Sequence, residues 1–585
     1  MMHRRPNVLL LTVDALRTDH TSLHGYGRPT TPVMEKLAAD AFVCDQTVSL
    51  GPFTQSACIQ LFTSTPPLAY GGYDRGAEGR PDTVFKRFRD EGYRTVGLST
   101  LHWVNRFFGY GPGFEEEHQL FIPNTLIGAA VATMRSSLVL YRQEIIGKEE
   151  MLAVVRPTVS RLLDDTEEYC ALRIMNAREQ RISYPDSLLV NERYDFDRVR
   201  RVIARHRAEF DRDPSVYIDR HLGGVPRPHG WLAKDWRFCR PWHKLLNEAI
   251  SRMINRLIGL SDPALASARA ARYRQYVDAG ALADKTIELM RASHDRPFFL
   301  WAHFMDTHIP FVSGRGPHWY RETPKYLAEL GYPPHHDVAQ NFREERPKDR
   351  QAQADLLPLY DAAIRWTDEQ IGRIVAALDD TGIAEDTIVA ICGDHGEEIG
   401  DHGDVGHYFL FYEHNIRVPM LFRRKGMTGR RIGSLTTSMD LAPTLADMCG
   451  IPPVLAWQGA AVYSEAAASR QTTVAETFYG GNCVFESRPV YLGVRSDRYK
   501  LLWKERRDPG DRFSAEGSEL YDYRNDPAER TNLYRPDHPA LPQLIQAAAE
   551  RFAGIKEISD ERVVNAFGAA GIDAVRRVRS RVATP

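Results

Sequence analysis

Several features are missing from this 585-residue chain, and each absence narrows its function. Its seven cysteines form no CxxC pair and are odd in number, so neither a disulfide framework nor a zinc ribbon is encoded. They read as reduced thiols, mostly core filler. No stretch of about 20 uncharged apolar residues occurs, which argues against a membrane-spanning helix. The apolar run at the start, Asn7 to Val13, is too short for the hydrophobic region of a signal peptide and ends in an acid. The expected compartment is therefore cytoplasmic. There is no excess of either charge: 75 Lys+Arg stand against 77 Asp+Glu, a formal net charge of −2. General nucleic-acid binding gains no support from that balance. Tandem repeats and low-complexity tracts are also missing.

What is present is a soluble globular composition, with 43% hydrophobic and 26% charged residues. At about 150 residues per domain the length suggests roughly four domains, or one large α/β domain with appendages. Short apolar runs recur and end alike. Asn7 to Val13 runs into Asp14, and Arg94 to Leu98 into Ser99, Thr100 and His102. Pro297 to Met305 ends at Asp306 and His308, and Thr387 to Gly393 at Asp394 and His395. Such runs are buried strands of a mostly parallel sheet, apolar on both faces. Open α/β sheets carry their sites beyond the strands' carboxyl ends. Burial alone accounts for the apolar runs but not for their shared polar endings. Ile364, Ile371, Val375 and Leu378 fall at helical spacing before one of these strands.

The expected fold class is α/β, a mostly parallel sheet flanked by helices, with residues 1–118 and 296–455 as the catalytic domain. Residues 119–295 break the strand rhythm and read as a mostly helical insertion, capping the site or presenting a partner surface. Its basic stretch Arg198 to Arg207 reads as a solvated helix face rather than an anion site. Leu126 to Ile146 suits an amphipathic helix used in core or oligomer packing, so a homo-oligomer is one expectation. Aromatic clusters occupy Trp231 to Trp242. Residues 456–555 read as a small C-terminal α+β subdomain. Within it, Val490 to Val494 and Tyr499 to Trp503 are paired antiparallel strands, and a helix lies near Leu541 to Phe552. Residues 556–585 read as a basic, partly mobile tail.

Asp394-His395-Gly396-Glu397 follows a strand, where an Asp and a His side by side turn toward one cation. Asp14, at the end of the first strand, supplies a third ligand, and a hydroxyl between them completes a site for a hard or borderline divalent metal. A plain turn is the alternative for Asp-His-Gly taken alone.

At this point a resemblance emerges. Asn7-Val-Leu-Leu-Leu-Thr-Val-Asp14-Ala-Leu-Arg17 and Gly25-Tyr-Gly-Arg-Pro-Thr-Thr31-Pro resemble the opening of sulfatase-like members of the alkaline phosphatase superfamily. So do Gly92-Tyr-Arg-Thr-Val-Gly97, Phe304-Met-Asp306-Thr-His308-Ile-Pro310, Gly393 to Glu397, Gly406-His407 and Val418-Pro419. Asp440-Leu-Ala-Pro443, Glu519-Leu-Tyr-Asp522 and Asn525-Asp-Pro527 match later landmarks, so the likeness runs from about Arg5 to Leu533 outside the insertion.

The nucleophile segment departs from the pattern. Sulfatases carry Cys-x-Pro-Ser-Arg, whose Cys is oxidised to formylglycine; anchoring here on Leu61-Phe62-Thr63 puts Thr54 at that position. Ser56, Ala57 and Cys58 replace the Pro, Ser and Arg. Cys58 is therefore not the modified residue and reads as a buried small hydrophobe. No formylglycine is expected. Thr100 stands where the resemblance places a sulfate-contacting Lys, and His102 matches the following His.

The resemblance implies one divalent metal (Ca²⁺, Mn²⁺ or Zn²⁺) held by Asp14, Thr54, Asp394 and His395. It implies Thr54 as nucleophile, with His308, His407 and His102 at catalytic positions contacting substrate oxygens or the leaving group. Thr54 as a simple helix N-cap is the alternative. A second metal on Asp306, His308 and His407 is a further option. Arg17 is a support behind the site's ligands, an anion contact or a surface ion pair. His20, His24, His303, His402 and His414 carry no assigned role. The leading expectation is a metal-dependent hydrolase of sulfate, phosphate or phosphonate esters, with a small-molecule, glycan or lipid ester as substrate. The alternatives are a phosphoryl or sulfuryl transferase to a sugar or lipid, and an inactive binding protein retaining the fold.

Overall fold

A computed structural model describes residues 5–101, 103–121, 123–144, 146–178, 196–223, 232, 276–292, 295–311, 313–315, 319–333, 349–407, 409–479, 483–506 and 517–582. The apolar runs become strands. In chain order these are β1 (Asn7–Val13), β2 (Ala41–Val48), β3 (Arg94–Ser99), β4 (Glu116–Gln119), β5 (Phe298–Phe304) and β6 (Thr387–Gly393). A short hairpin of β7 (Glu398–Ile399) and β8 (Val405–Gly406) follows, then β9 (Met420–Arg424) and β10 (Arg430–Thr437). Eight of them form one sheet in the order β10-β2-β9-β6-β1-β5-β3-β4, and only β9 pairs antiparallel with its neighbours.

The sheet is buried on both faces. Leu9, Leu11 and Val13 point into one core with Leu300, Ala302 and Ile391, beneath the helix Leu357–Asp380. Val8 and Leu10 point into the other with Phe299, Trp301 and Ala390. The helix Thr54–Thr63 packs on that second face through Cys58, Leu61 and Phe62. Alternation along a strand sends successive side chains to opposite faces, so an uninterrupted apolar strand requires both to be covered.

Between β4 and β5 the described secondary structure is helical, including Pro123–Arg142, Lys148–Arg178 and Phe196–Arg212. They have a core of their own, with Ile127, Met134, Leu152, Val159 and Ile203 packed beside Phe107 and Phe121. In the basic stretch, Arg207 pairs with Asp164 and Arg200 sits 3.6 Å from Glu167, so those cations meet acids of the neighbouring helix. The aromatics of Trp231 to Trp242 lie outside the described residues.

After β10 a second sheet runs β11 (Thr473–Phe478), β12 (Val490–Arg495), β13 (Tyr499–Lys504), β14 (Glu519–Asp522), antiparallel throughout. It is covered by the helix Leu541–Ala553. The final segment, expected to be a partly mobile tail, instead forms the helices Asp560–Phe567 and Ala569–Val582. Val563 and Ala574 are fully buried, and Phe567 stacks on Trp503 with ring centroids 4.3 Å apart. The arginines there drew attention to charge, but apolar residues at helical spacing between them pack this segment down.

Candidate active site

Strand register builds the site. β1 lies between β5 and β6, with Val13 opposite both Phe304 and Gly393. The next residues, Asp14 and Asp394, therefore leave neighbouring strands at the same level. Asp14 N donates to Phe304 O at 2.9 Å, and Asp394 N to Val13 O at 3.2 Å. Ala15 then turns the chain with φ +52°, a left-handed conformation that costs a non-glycine residue about 1–3 kcal/mol. That turn aims Ala15 N at Asp394 Oδ1, at 3.0 Å, and His395 N donates to the same oxygen at 2.7 Å.

Both carboxylates are fully buried. Among the described residues, Asp14 Oδ1 and Asp394 Oδ2 have no hydrogen-bond partner. Asp14 Oδ2 accepts from Thr54 Oγ1 at 3.2 Å. Buried polar atoms are nearly always satisfied, so two orphaned carboxylate oxygens side by side fit a divalent cation.

Thr54 opens its helix but does not cap it. Phe53 holds the N-cap position, and the Thr54 hydroxyl turns toward Asp14 and His395. The cap alternative is thereby set aside. The helix's positive end points at the same spot, which favours anionic charge there. His395 Nδ1 lies 2.8 Å from Gly396 O and, as the donor, leaves an Nε2 lone pair facing Thr54 Oγ1 at 3.0 Å. Gly396 is required for this approach: a Cβ there would lie 1.9 Å from His414 O. The His407 ring sits 4.5 Å from that of His395 and 5.0 Å from that of His308, so three imidazoles line one side. His407 Nδ1 is 3.4 Å from Glu397 Oε1.

The electrostatics agree with a cation site. Burial, and next the Asp14 charge, push Asp394 well above the usual carboxylate range. Burial also acts to raise Asp14, but the His303 hydrogen bond and the nearby imidazoles hold it below that range. Two buried carboxylates this close repel unless a positive charge joins them. Burial, and next His407, pull His395 down to about 4, keeping its imidazole neutral as a ligand must be.

Other expectations fare differently. His102 lies outside the described residues. Thr100 is buried and donates to His303 O at 2.8 Å. Arg17 is not a surface ion pair: it is 2% exposed and clamps Asp401 at 2.6 Å and Asp19 at 2.7 Å, tying β1 to the β7–β8 hairpin. Asp306 accepts from Trp366 Nε1 at 3.1 Å. Among the described residues it does not join His308 and His407 as a ligand set. Cys58 is core, as expected, and burial pushes its thiol up.

His303 is the residue that sequence reasoning missed. Its Nε2 lies 3.5 Å from Asp14 Oδ2, and its ligand atom groups with those of Asp14 and Asp394 within 4.8 Å. Trp301 Nε1 donates to Thr12 Oγ1 at 2.9 Å, so the Thr12 proton turns to His303 Nδ1 at 2.7 Å and leaves Nε2–H for Asp14. The only sequence signal was a His inside an otherwise apolar strand; register places it opposite Thr12.

This sheet, with acids and imidazoles gathered at its strand ends, defines an α/β fold with a candidate cation centre, and comparisons narrow it. A family model described as Sulfatase matches residues 6–126 and 232–451. A second, described as N-sulphoglucosamine sulphohydrolase, C-terminal, matches residues 400–557. The chain belongs to the sulfatase family. It is 26% identical over 269 residues to a choline-sulfatase of Rhizobium meliloti (strain 1021), covering 43% of this chain and 49% of that one. It is 29% identical over 264 residues to an arylsulfatase of Clostridium perfringens (strain 13 / Type A), covering 42% and 51%. The match thus spans about half the length of these relatives. A solved structure described as a 2-O GAG sulfatase superposes with TM-score 0.50 at 14% identity, covering 100% of this chain and 94% of that one. That likeness is one of fold.

Proposed function

We propose that this protein is a metal-dependent hydrolase of sulfate, phosphate or phosphonate esters that works through a covalent ester on Thr54. The observation that carries this reading is the Thr54 hydroxyl, 3.2 Å from Asp14 Oδ2 and 3.0 Å from His395 Nε2, beside two partnerless carboxylate oxygens. Asp14, Asp394, His395 and Thr54 would hold one divalent ion. When bound, such an ion lowers the pKa of a hydroxyl and offsets anionic charge.

The chain's own residues do the rest. Thr54 sits at a helix N-terminus, where the transferred anion is also favoured. Its oxygen attacks phosphorus or sulfur, and its proton passes to Asp14 Oδ2, the carboxylate oxygen to which the hydroxyl already donates. The bond to the leaving oxygen breaks as an imidazole, His308 or His407, delivers a proton to it. Water then attacks the same phosphorus or sulfur, its proton going to the imidazole that protonated the leaving group, the Thr54 ester bond breaks, and the Thr54 oxygen takes back its proton from Asp14. A formylglycine hydrate would instead expel the acid by collapsing to an aldehyde, a route closed to Thr.

Trapping tests this directly. Incubation with aryl phosphate, phosphonate and sulfate esters, acid quench and peptide mass spectrometry should place the adduct on the peptide holding Thr54. Thr54→Ala should lose at least ~10³-fold in kcat/KM, with Cys58→Ser largely unaffected. An adduct elsewhere, or full activity in Thr54→Ala, overturns the reading. Turnover only with an added alcohol would identify a transferase.

A further inference from the structure

We infer that a second divalent-cation site, distinct from the Asp14–Asp394 centre, is formed by Glu398, His402 and His414, and that its ion is Zn²⁺. These residues come from β7, from the turn of the β7–β8 hairpin, and from the short helix Glu413–Ile416. One ligand atom from each lies within 4.8 Å of the others, and Glu398 and His414 are buried.

The arrangement is oriented as ligands are. His402 Nε2 lies 3.2 Å from the Glu529 carbonyl and donates to it, so Nδ1 carries the lone pair. That Nδ1 is buried, has no hydrogen-bond partner among the described residues, and lies 4.0 Å from Glu398 Oε2. An imidazole that donates one N–H to a backbone carbonyl and turns the other nitrogen inward is the usual support of a metal ligand. Glu398 is held similarly: Oε1 accepts from His402 N at 2.5 Å, and Oε2 shares a proton with His414 Nε2 at 2.5 Å, a proton that a bound cation displaces to solvent to free both lone pairs. Ring stacking of His402 on Tyr412, with centroids 3.7 Å apart, fixes the third direction.

Two imidazole nitrogens and one carboxylate oxygen form a borderline donor set, which selects zinc over calcium or magnesium. A cavity of about 430 Å³, lined by Gly400, Asp401, His402, Gly403, Glu529 and Arg530 among others, adjoins the cluster and admits a water as fourth ligand. Such an ion would pin the hairpin that leads to His407 against the C-terminal subdomain, through Glu529.

The test is cobalt and zinc titration of the chelator-treated full-length protein. Wild type should bind two Co²⁺, and Asp394→Asn should keep one, with the visible absorption of four-coordinate cobalt. His402→Gln and His414→Gln, each placed in the Asp394→Asn background, should weaken that remaining site at least tenfold. Zn²⁺ should raise the melting temperature of Asp394→Asn but not of the double variants. His414→Gln retains a donor to Glu398, so its fold is checked by an unchanged melting temperature without metal. No Co²⁺ binding in Asp394→Asn, or binding indifferent to both histidines, overturns the site and leaves a plain Glu–His ion pair. Failure of the Thr54 centre reads differently: wild type then binds one ion, lost with His402 and kept in Asp394→Asn.

Discussion

Among the places where this molecule buries carboxylates, two treat them in opposite ways. Around the C-terminal sheet, each buried acid meets a cation carried by the chain. Glu413 lies 3.0 Å from Arg495 and 3.2 Å from Lys500, Glu529 lies 2.5 Å from Lys500, and Glu519 lies 3.0 Å from Lys504. Burial acts to raise Glu413, but Arg495 and Lys500 hold it at about 2. At the end of the central sheet, no Lys or Arg among the described residues pairs with Asp14 or Asp394; the side chains beside them are the imidazoles of His303 and His395. The lesson is physical. A buried acid supplied with its counter-ion is structure, while a buried acid pair left without one is a place prepared for an imported cation.

The contrast can be broken by mutation, and the largest effect belongs to the self-contained region. Glu413→Ala strands Arg495 and Lys500 without that carboxylate and should cost about 3–5 kcal/mol in denaturant unfolding. A smaller value would mean water reaches the network. Asp394→Asn should act in the opposite direction when metal is stripped by chelator. Relieving the repulsion with Asp14 should raise metal-free stability by about 1 kcal/mol or more, while abolishing metal binding at that centre. A destabilised metal-free Asp394→Asn protein would show that the two acids are not the prepared site argued above. Finest in effect is His303→Gln, which keeps a donor toward Asp14 with poorer geometry. It should weaken the metal about tenfold, and His303→Ala up to about 100-fold, as read by calorimetric titration. Equal affinity in all three proteins would reduce His303 to core packing.

Much of the central sheet was legible because its signal is local. A strand buried on both faces needs consecutive apolar residues, and the runs ending at Asp14, Asp306 and Asp394 supplied them. The candidate metal centre was partly legible for the same reason: Asp394 and His395 are adjacent, and Asp14 closes its own run. The final helices were misread because a count of arginines says nothing of Val563, Phe567 and Ala574, which face Trp503 and its neighbours only after the chain folds back. The choice among the roles open to Arg17 was not legible either, since its partner Asp401 is distant in sequence.

The amino-acid order alone determined where the strands stop and which acids and imidazoles wait there, because hydrophobic run length and terminal polarity are properties of neighbours along the chain. Only the tertiary structure decided that Val13 lies level with Phe304 and Gly393, that the Thr54 hydroxyl faces Asp14, and that His303 stands behind it. Those are matters of register and of a helix's seat on the sheet. They are settled by how whole faces pack together, which no short stretch of sequence records.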